Sequence, residues 1–229
     1  MNTLKTLIDG KDTFEVIRDR VAYILAQESV NQQNLAAAEA GKNPADYALR
    51  VFIERLLPWQ EWIDFDSVET DRTPIVNVCF DSDNIELASS SLADQQKYVG
   101  KFNIDCYGLG ISSERPIGGY DPGDKGSAVA AQHAGRIVRN ILMASENLYF
   151  RFPRGVVWQR YIESRTMFQP KAVDVAVQHV AGLRLVLSVG FTEGSIQYVP
   201  ETLEYLGATI FRTDDDEVYA EVDIDYTTT

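Results

Sequence analysis

Residues 98–107 read YVGKFNIDCY, and their alternation decides the fold. Phe102, Ile104 and Cys106 fall on one side and Lys101, Asn103 and Asp105 on the other, the period of two that a β-strand imposes. Such a strand buries one face and turns the other toward water or a partner. Upstream, TPIVNVCF (73–80) is β-branched and apolar and predicts a neighbouring strand. Downstream, GVVWQRYIE (155–163) and KAVDVAVQHV (171–180) predict two more. GLRLVLSVGFT (182–192) predicts a strongly apolar one, with Leu183, Leu185, Leu187, Val189 and Phe191 on one side.

Helical spacing brackets these strands. Phe14, Ile17, Val21, Ile24 and Leu25 predict a helix over 12–38, capped by Asp12 or Thr13. Its apolar stripe fades into QESVNQQNLAAAEA (27–40), so that end projects from the core or packs on a neighbour, and Gly41, Asn43 and Pro44 stop it. The clearest helix is 127–144, capped by Ser127, with Val129, Ala130, His133, Ala134, Ile137, Val138, Ile141 and Leu142 on one stripe and Arg136 and Arg139 off it. ENLYF (146–150) reads as a continuation of that helical segment. Residues 45–57 fit either a short helix ended by Pro58 or a strand at 49–57, and pattern alone does not separate the two.

Residues 108–126 (GLGISSERPIGGYDPGDKG) hold six of the 15 glycines and predict a flexible Gly-rich insertion that orders on contact with a partner. Residues 208–212 and 217–226 predict a C-terminal hairpin around Thr213-Asp214-Asp215-Asp216. Helix, strands, loop, helix, strands in that order implies an α+β fold over a single domain, 1–229. Its sheet is mainly antiparallel or mixed, with helices packed on one face and an extended acidic C-terminal β-hairpin (208–226).

Composition narrows the function. The chain has 229 residues, 45% hydrophobic, which supports a sizeable core without disulfides. Cys79 and Cys106 both sit in apolar strand-like runs and read as buried, reduced thiols of a reducing compartment. The N-terminal MNTLKTLIDGKDTF is too polar for a signal peptide, and no apolar run reaches the length of a membrane span, so the protein is expected in the cytosol or in something assembled there, with no membrane partner. A net charge of −13 argues against wrapping nucleic acid, although an acidic surface lets DNA pass without sticking.

Catalytic and metal motifs are missing from the sequence. His133 and His179 lie far apart, and no CxxC or HExxH is present, so each reads as a structural residue rather than a ligand. The run Asp214–Glu217 lacks the ligand spacing and glycine of an EF-hand loop. No G-x-S-x-G occurs, and GLG (108–110) and GG (118–119) match no phosphate-binding loop. No catalytic residue, cofactor or metal is assigned, and no enzyme activity is expected.

Charge is distributed unevenly instead. Residues 201–229 carry nine acids against one base, whereas residues 136–171 carry seven bases against two acids. Complementary poles of this kind let a basic patch on one copy meet an acidic patch on the next, a head-to-tail contact that closes into a ring. An acidic hairpin facing a channel would also repel a polyanion.

The order of segments then resembles a known family. RVFIERLLPWQEW (50–62) follows the first helix. TPIVNVCF, KFNIDCYGLG (101–110), AQHAGRIVRNIL (131–142), VVWQRYIESRTMFQP (156–170) and LRLVLSVGFTE (183–193) come next. Over about residues 12–193 this is similar to bacteriophage tail terminator proteins and the related tail-completion proteins of the neck. The resemblance implies a structural virion protein forming a hexameric ring on the head-proximal end of the tail tube. Such a ring stops tube polymerisation and offers the head a docking surface. Its partners would be further copies of itself, the tail tube protein, a neck or head-completion protein and, in a contractile tail, the sheath, while DNA passes through the channel without specific binding. Arg136, Arg139, Arg154 and Arg160 are the candidates for contacts to a neighbour or the tube. Asp214, Asp215, Asp216 and Glu217 are the candidates for an acidic channel or interface surface. The alternatives are a head-completion or connector adaptor, an acid–base hydrolase, or a monomeric binding module.

Overall fold

A computed structural model describes residues 9–64, 72–86, 95–114, 119–170, 178–194, 205–211 and 218–225. They fall into two compact units, within 1–194 and 195–229.

The first unit begins with helix α1 (Thr13–Ala38), where the Glu15 carboxylate accepts from the Asp12 backbone N–H at 3.0 Å. Ile17, Val21, Ile24 and Leu25 are fully buried. Beyond Ser29 the helix buries only Ala36, so about its last two and a half turns add little to the core, as the fading stripe predicts. Ser29 ends the packed part by a strap: its hydroxyl donates to the Tyr47 carbonyl and accepts from the Leu49 N–H, both at 2.9 Å. These bonds hold a 3-10 turn (Pro44–Tyr47) on the helix.

The open choice at 45–57 resolves as a strand, β1 (Arg50–Ile53), which is shorter than the 49–57 alternative. A short helix α2 (Gln60–Asp64) follows Pro58. Strands β2 (Ile75–Ile85) and β3 (Gln95–Ile111) come next, then a two-residue ribbon, β4 (Ser113–Glu114) with β5 (Tyr120–Asp121). Helix α3 (Gly123–Met143) leads to β6 (Val157–Phe168) and β7 (Gln178–Gly194). The five-stranded sheet runs β1-β2-β3-β7-β6. It is mixed: β1 lies parallel to β2, and every other pair is antiparallel. The fold is therefore α+β.

Register builds the core. Val76 faces Cys106 and Val78 faces Ile104 across β2–β3, and Cys106, Ile104 and Phe102 face Leu183, Leu185 and Leu187 across β3–β7. This stripe packs with the buried faces of α1 and α3 into one cluster. The opposite sheet face carries a second, smaller cluster in which Trp59 and Trp62 cover Ile75, Tyr107, Leu109 and Val180. The two long helices share one face as expected, while these two tryptophans, from the start of α2 and the turn before it, cover part of the other.

Four expectations are corrected. Residues 108–111 are not part of a flexible insertion but the end of β3, and α3 starts at Gly123 rather than Ser127. The glycines serve close packing: a Cβ on Gly108 would lie 2.5 Å from the Ala131 nitrogen, and one on Gly110 would overlap the Gly123 carbonyl. Ser127 caps nothing, because it sits buried inside α3, its hydroxyl donating to the Asp124 carbonyl at 2.8 Å. ENLYF does not prolong the helix, since α3 ends at Met143 and Phe150 and Arg151 take φ of 49° and 61°. Residues 115–118 of the insertion and 171–177 of the expected 171–180 strand lie outside the described residues, and 178–180 open β7.

The second unit is a hairpin of β8 (Tyr205–Phe211) and β9 (Val218–Asp225), three residues longer at its start than predicted. Among the described residues no helix is long and apolar enough to cross a membrane.

Candidate interaction surfaces

The described residues contain no group of three or more His, Cys, Asp or Glu side chains placed to hold a metal. His133 Nε2 lies 2.7 Å from the Asp46 carbonyl oxygen and its Nδ1 2.8 Å from the Arg136 guanidinium, so the ring bridges α3 to the 3-10 turn. His179 Nε2 lies 3.0 Å from the Ser112 hydroxyl, which also accepts from the Gly123 N–H at 3.0 Å and so fixes the start of α3. Cys79 and Cys106 are free thiols. Burial pushes both upward, Cys79 to about 11 with added help from the charges of Glu54 and Asp105. Neither thiol is poised as a nucleophile near neutral pH.

The four predicted arginines separate into three that are exposed and one that is half-buried. Arg136 and Arg139 are exposed on α3; the first also reaches His133 and the second Asn140 at 3.3 Å. Arg154 is exposed just before β6. Arg160 instead turns inward: its guanidinium donates to the Ala144 carbonyl at 2.8 Å, beside the Phe150 ring. It satisfies a carbonyl at the α3 C-terminus and favours that end of the helix dipole. Burial alone depresses its pKa. Arg160 is therefore engaged within the fold through Nη2, while its Nη1 has no hydrogen-bond partner among the described residues. Asp214, Asp215, Asp216 and Glu217 lie outside the described residues, between β8 and β9.

The sheet face opposite α1 and α3 holds a polar strip on which Lys101, Asn103 and Asp105 fall as their alternation predicts, joined by Arg184, which the sequence reading did not single out. Arg184 donates to both Asp105 oxygens, at 2.7 and 2.8 Å, and its guanidinium stands over the Phe168 ring. Tyr107 donates to the same carboxylate at 3.3 Å. Bonding to Asp105 raises the Arg184 pKa further, while burial and then Asp105 push the Tyr107 hydroxyl up. Next to it Lys101 meets Glu163 at 2.9 Å and Asn103 meets Asp81 at 2.9 Å. The strip is part open: Arg184 keeps 44%, Lys101 36% and Glu163 39% of its side chain exposed, whereas Asp105 and Tyr107 are buried. The sequence signal was present, since Arg184 interrupts the apolar run LRLVL and Asp105 alternates with Asn103 and Lys101.

Among the described residues a depression of about 400 Å³ lies between the C-terminal half of α1 and the end of α3. Its walls combine Tyr47, Ile137 and Ile141 with amides and two carboxylates, Glu28 and Glu146. Together these features make a molecule with ordered, mixed polar and apolar surfaces and fixed charges facing outward. Compared with known proteins, the chain matches no family model, and no curated protein is significantly similar to it.

Proposed function

We propose that this chain is a structural subunit that assembles with copies of itself into a ring. The ring caps the head-proximal end of a phage tail tube, ends tube growth and presents a docking surface to the neck. The observation that carries the reading is the polar strip across β2, β3, β7 and β6, where Arg184, Lys101 and Glu163 stand exposed and Asp105 fixes Arg184 by two hydrogen bonds. Exposed charged side chains standing on an otherwise buried sheet face are a ready contact for a neighbour, and such charged pairs set register more than affinity. The exposed Arg136, Arg139 and Arg154 and the acid-rich 201–229 segment supply opposite polarities for a head-to-tail contact. A ring with net negative subunits leaves DNA free to slide through it.

Binding to the tube tests this reading. Polymerised tail tubes mixed with the purified chain are expected to carry it at one end only and to stop elongating when fresh tube subunits are added. Decoration along the whole tube, or continued growth from both ends, would overturn the proposal.

A further inference from the structure

Strand β6 lies at one edge of the five-stranded sheet, and its only strand partner among the described residues is β7. Register shifts between Val157 and Gln159 and between Ile162 and Ser164 interrupt its first half, irregularities of the kind that spoil an edge for further pairing. From Ser164 to Phe168 the ladder to β7 is regular, and residues 163–167 are all exposed. An unbroken strand edge open to water is a template for another strand, which adds to it through main-chain hydrogen bonds.

The helix side of this edge is basic. β6 runs beside α3, held by Arg160 on the Ala144 carbonyl at 2.8 Å and by Gln132 Nε2 against Met167 Sδ at 3.9 Å. Arg136 and Arg139 stand on α3 between those two ties, on the same helix face as Gln132. Arg165 and Met167 are the β6 partners of Leu185 and Leu183, whose side of the sheet carries α1 and α3. The three arginines are exposed, and none pairs with a carboxylate among the described residues. Arg136 reaches the His133 ring and Arg139 the Asn140 amide, so their charges remain available.

The C-terminal hairpin has complementary properties. β8 and β9 form a sheet of two strands, which leaves one edge of each unpaired among the described residues. A two-stranded hairpin is marginal in water and gains stability from a third strand. β8 (YLGATIF) carries no charge, whereas β9 alternates Ala220, Val222 and Ile224 with Glu221, Asp223 and Asp225. β9 is therefore the strand that sets a row of acids on one face while its backbone pairs. Resting on the ring reading above, we propose that β9 of one copy adds to the Ser164–Phe168 edge of β6 in the next copy. Glu221, Asp223 and Asp225 then fall on the face of Arg136, Arg139 and Arg165. Backbone pairing supplies the affinity and the charges fix the register, because a slip of one residue moves every acid to the opposite face. Donor strand and acceptor edge are different patches, so the contact is heterologous and repeats around a ring.

Directional cross-linking and charge exchange test it. In a Cys79→Ala background of the full chain, Ser164→Cys and Ala220→Cys variants are prepared separately, mixed and treated with a short bis-maleimide. Both positions alternate with the charged residues of their strands, so every charge of the contact is kept, and Cys106 is fully buried. The expected product is a linked pair containing one chain of each variant, with neither variant linking alone. In parallel, an Arg139→Glu/Arg165→Glu chain and a Glu221→Arg/Asp223→Arg chain should each lose self-association at least tenfold and regain it when the two are mixed. Misfolding of either variant would give no such recovery. If the native chain assembles but the cysteine variants do not link on mixing, or one links to itself, or the reversed chains stay apart on mixing, this contact is wrong and the ring reading stands. If the native chain never assembles, both fall.

Discussion

At the residue scale the polar side chains of this protein mostly hold backbone in place. Asn77 clamps the loop after β1, Ser29 straps the 3-10 turn to α1, and Arg160 closes the α3 C-terminus. Each was legible in the sequence only as a polar residue in or beside an apolar run. Its partner lies 16 to 22 residues away and is a main-chain group, which no side-chain pattern reveals. Cys79 supports a measurable prediction. Its folded-state thiol, pushed up to about 11 by burial and by Glu54 and Asp105, stays protonated while the unfolded chain ionises near the ordinary value of 9.0. Its contribution to stability is therefore complete below pH 9 and is lost as pH rises toward 11. Denaturant titrations should show a midpoint that falls over that window, and Cys79→Ser should flatten part of the fall. A profile identical in the variant would show that Cys79 is not desolvated as described.

At the element scale, the alternating strand at 98–107 and the periodic helix at 127–144 were readable because each repeats one residue class at one period. The glycines of 108–126 were not, because glycine marks a turn and a close approach with the same letter. Gly108 and Gly110 belong to β3, where only a bare Cα admits α3. The run RVFIERLL was ambiguous for a related reason: four strand residues and a braced loop are too few to display a period. Two substitutions separate these roles. Gly110→Ala should cost about 1–3 kcal/mol, because its Cβ collides with the backbone of α3 at Gly123 and Ser127. Gly126→Ala, whose Cβ would meet only the Gly110 Cα at 3.7 Å, should instead stabilise α3 by up to about 1 kcal/mol. Thermal or chemical unfolding gives both values, and equal effects of the two changes would contradict the close β3–α3 contact.

At the scale of the whole molecule, the layered α+β core follows directly from the hydrophobic pattern, whereas the surfaces do not. The edge of β6, the α1–α3 depression and the Asp105–Arg184 strip depend on which residues the fold leaves outside, and that is decided by tertiary packing. The charge asymmetry is plain in the composition, since residues 201–229 and 136–171 carry net charges of opposite sign. It motivates assembly by unlike poles, and exposed opposite charges at contacts of this kind are screened by salt within about 8–10 Å at physiological strength. In the proposed ring, identical subunits associate head to tail through these poles. Sedimentation equilibrium of the full chain across protein concentration, at low and at about 1 M salt, tests it most directly. A ring of this kind gives one discrete closed species at low salt, a whole multiple of 25.7 kDa and six-fold for a hexamer, that dissociates as salt is raised. A mass of 25.7 kDa at every concentration and salt would contradict it.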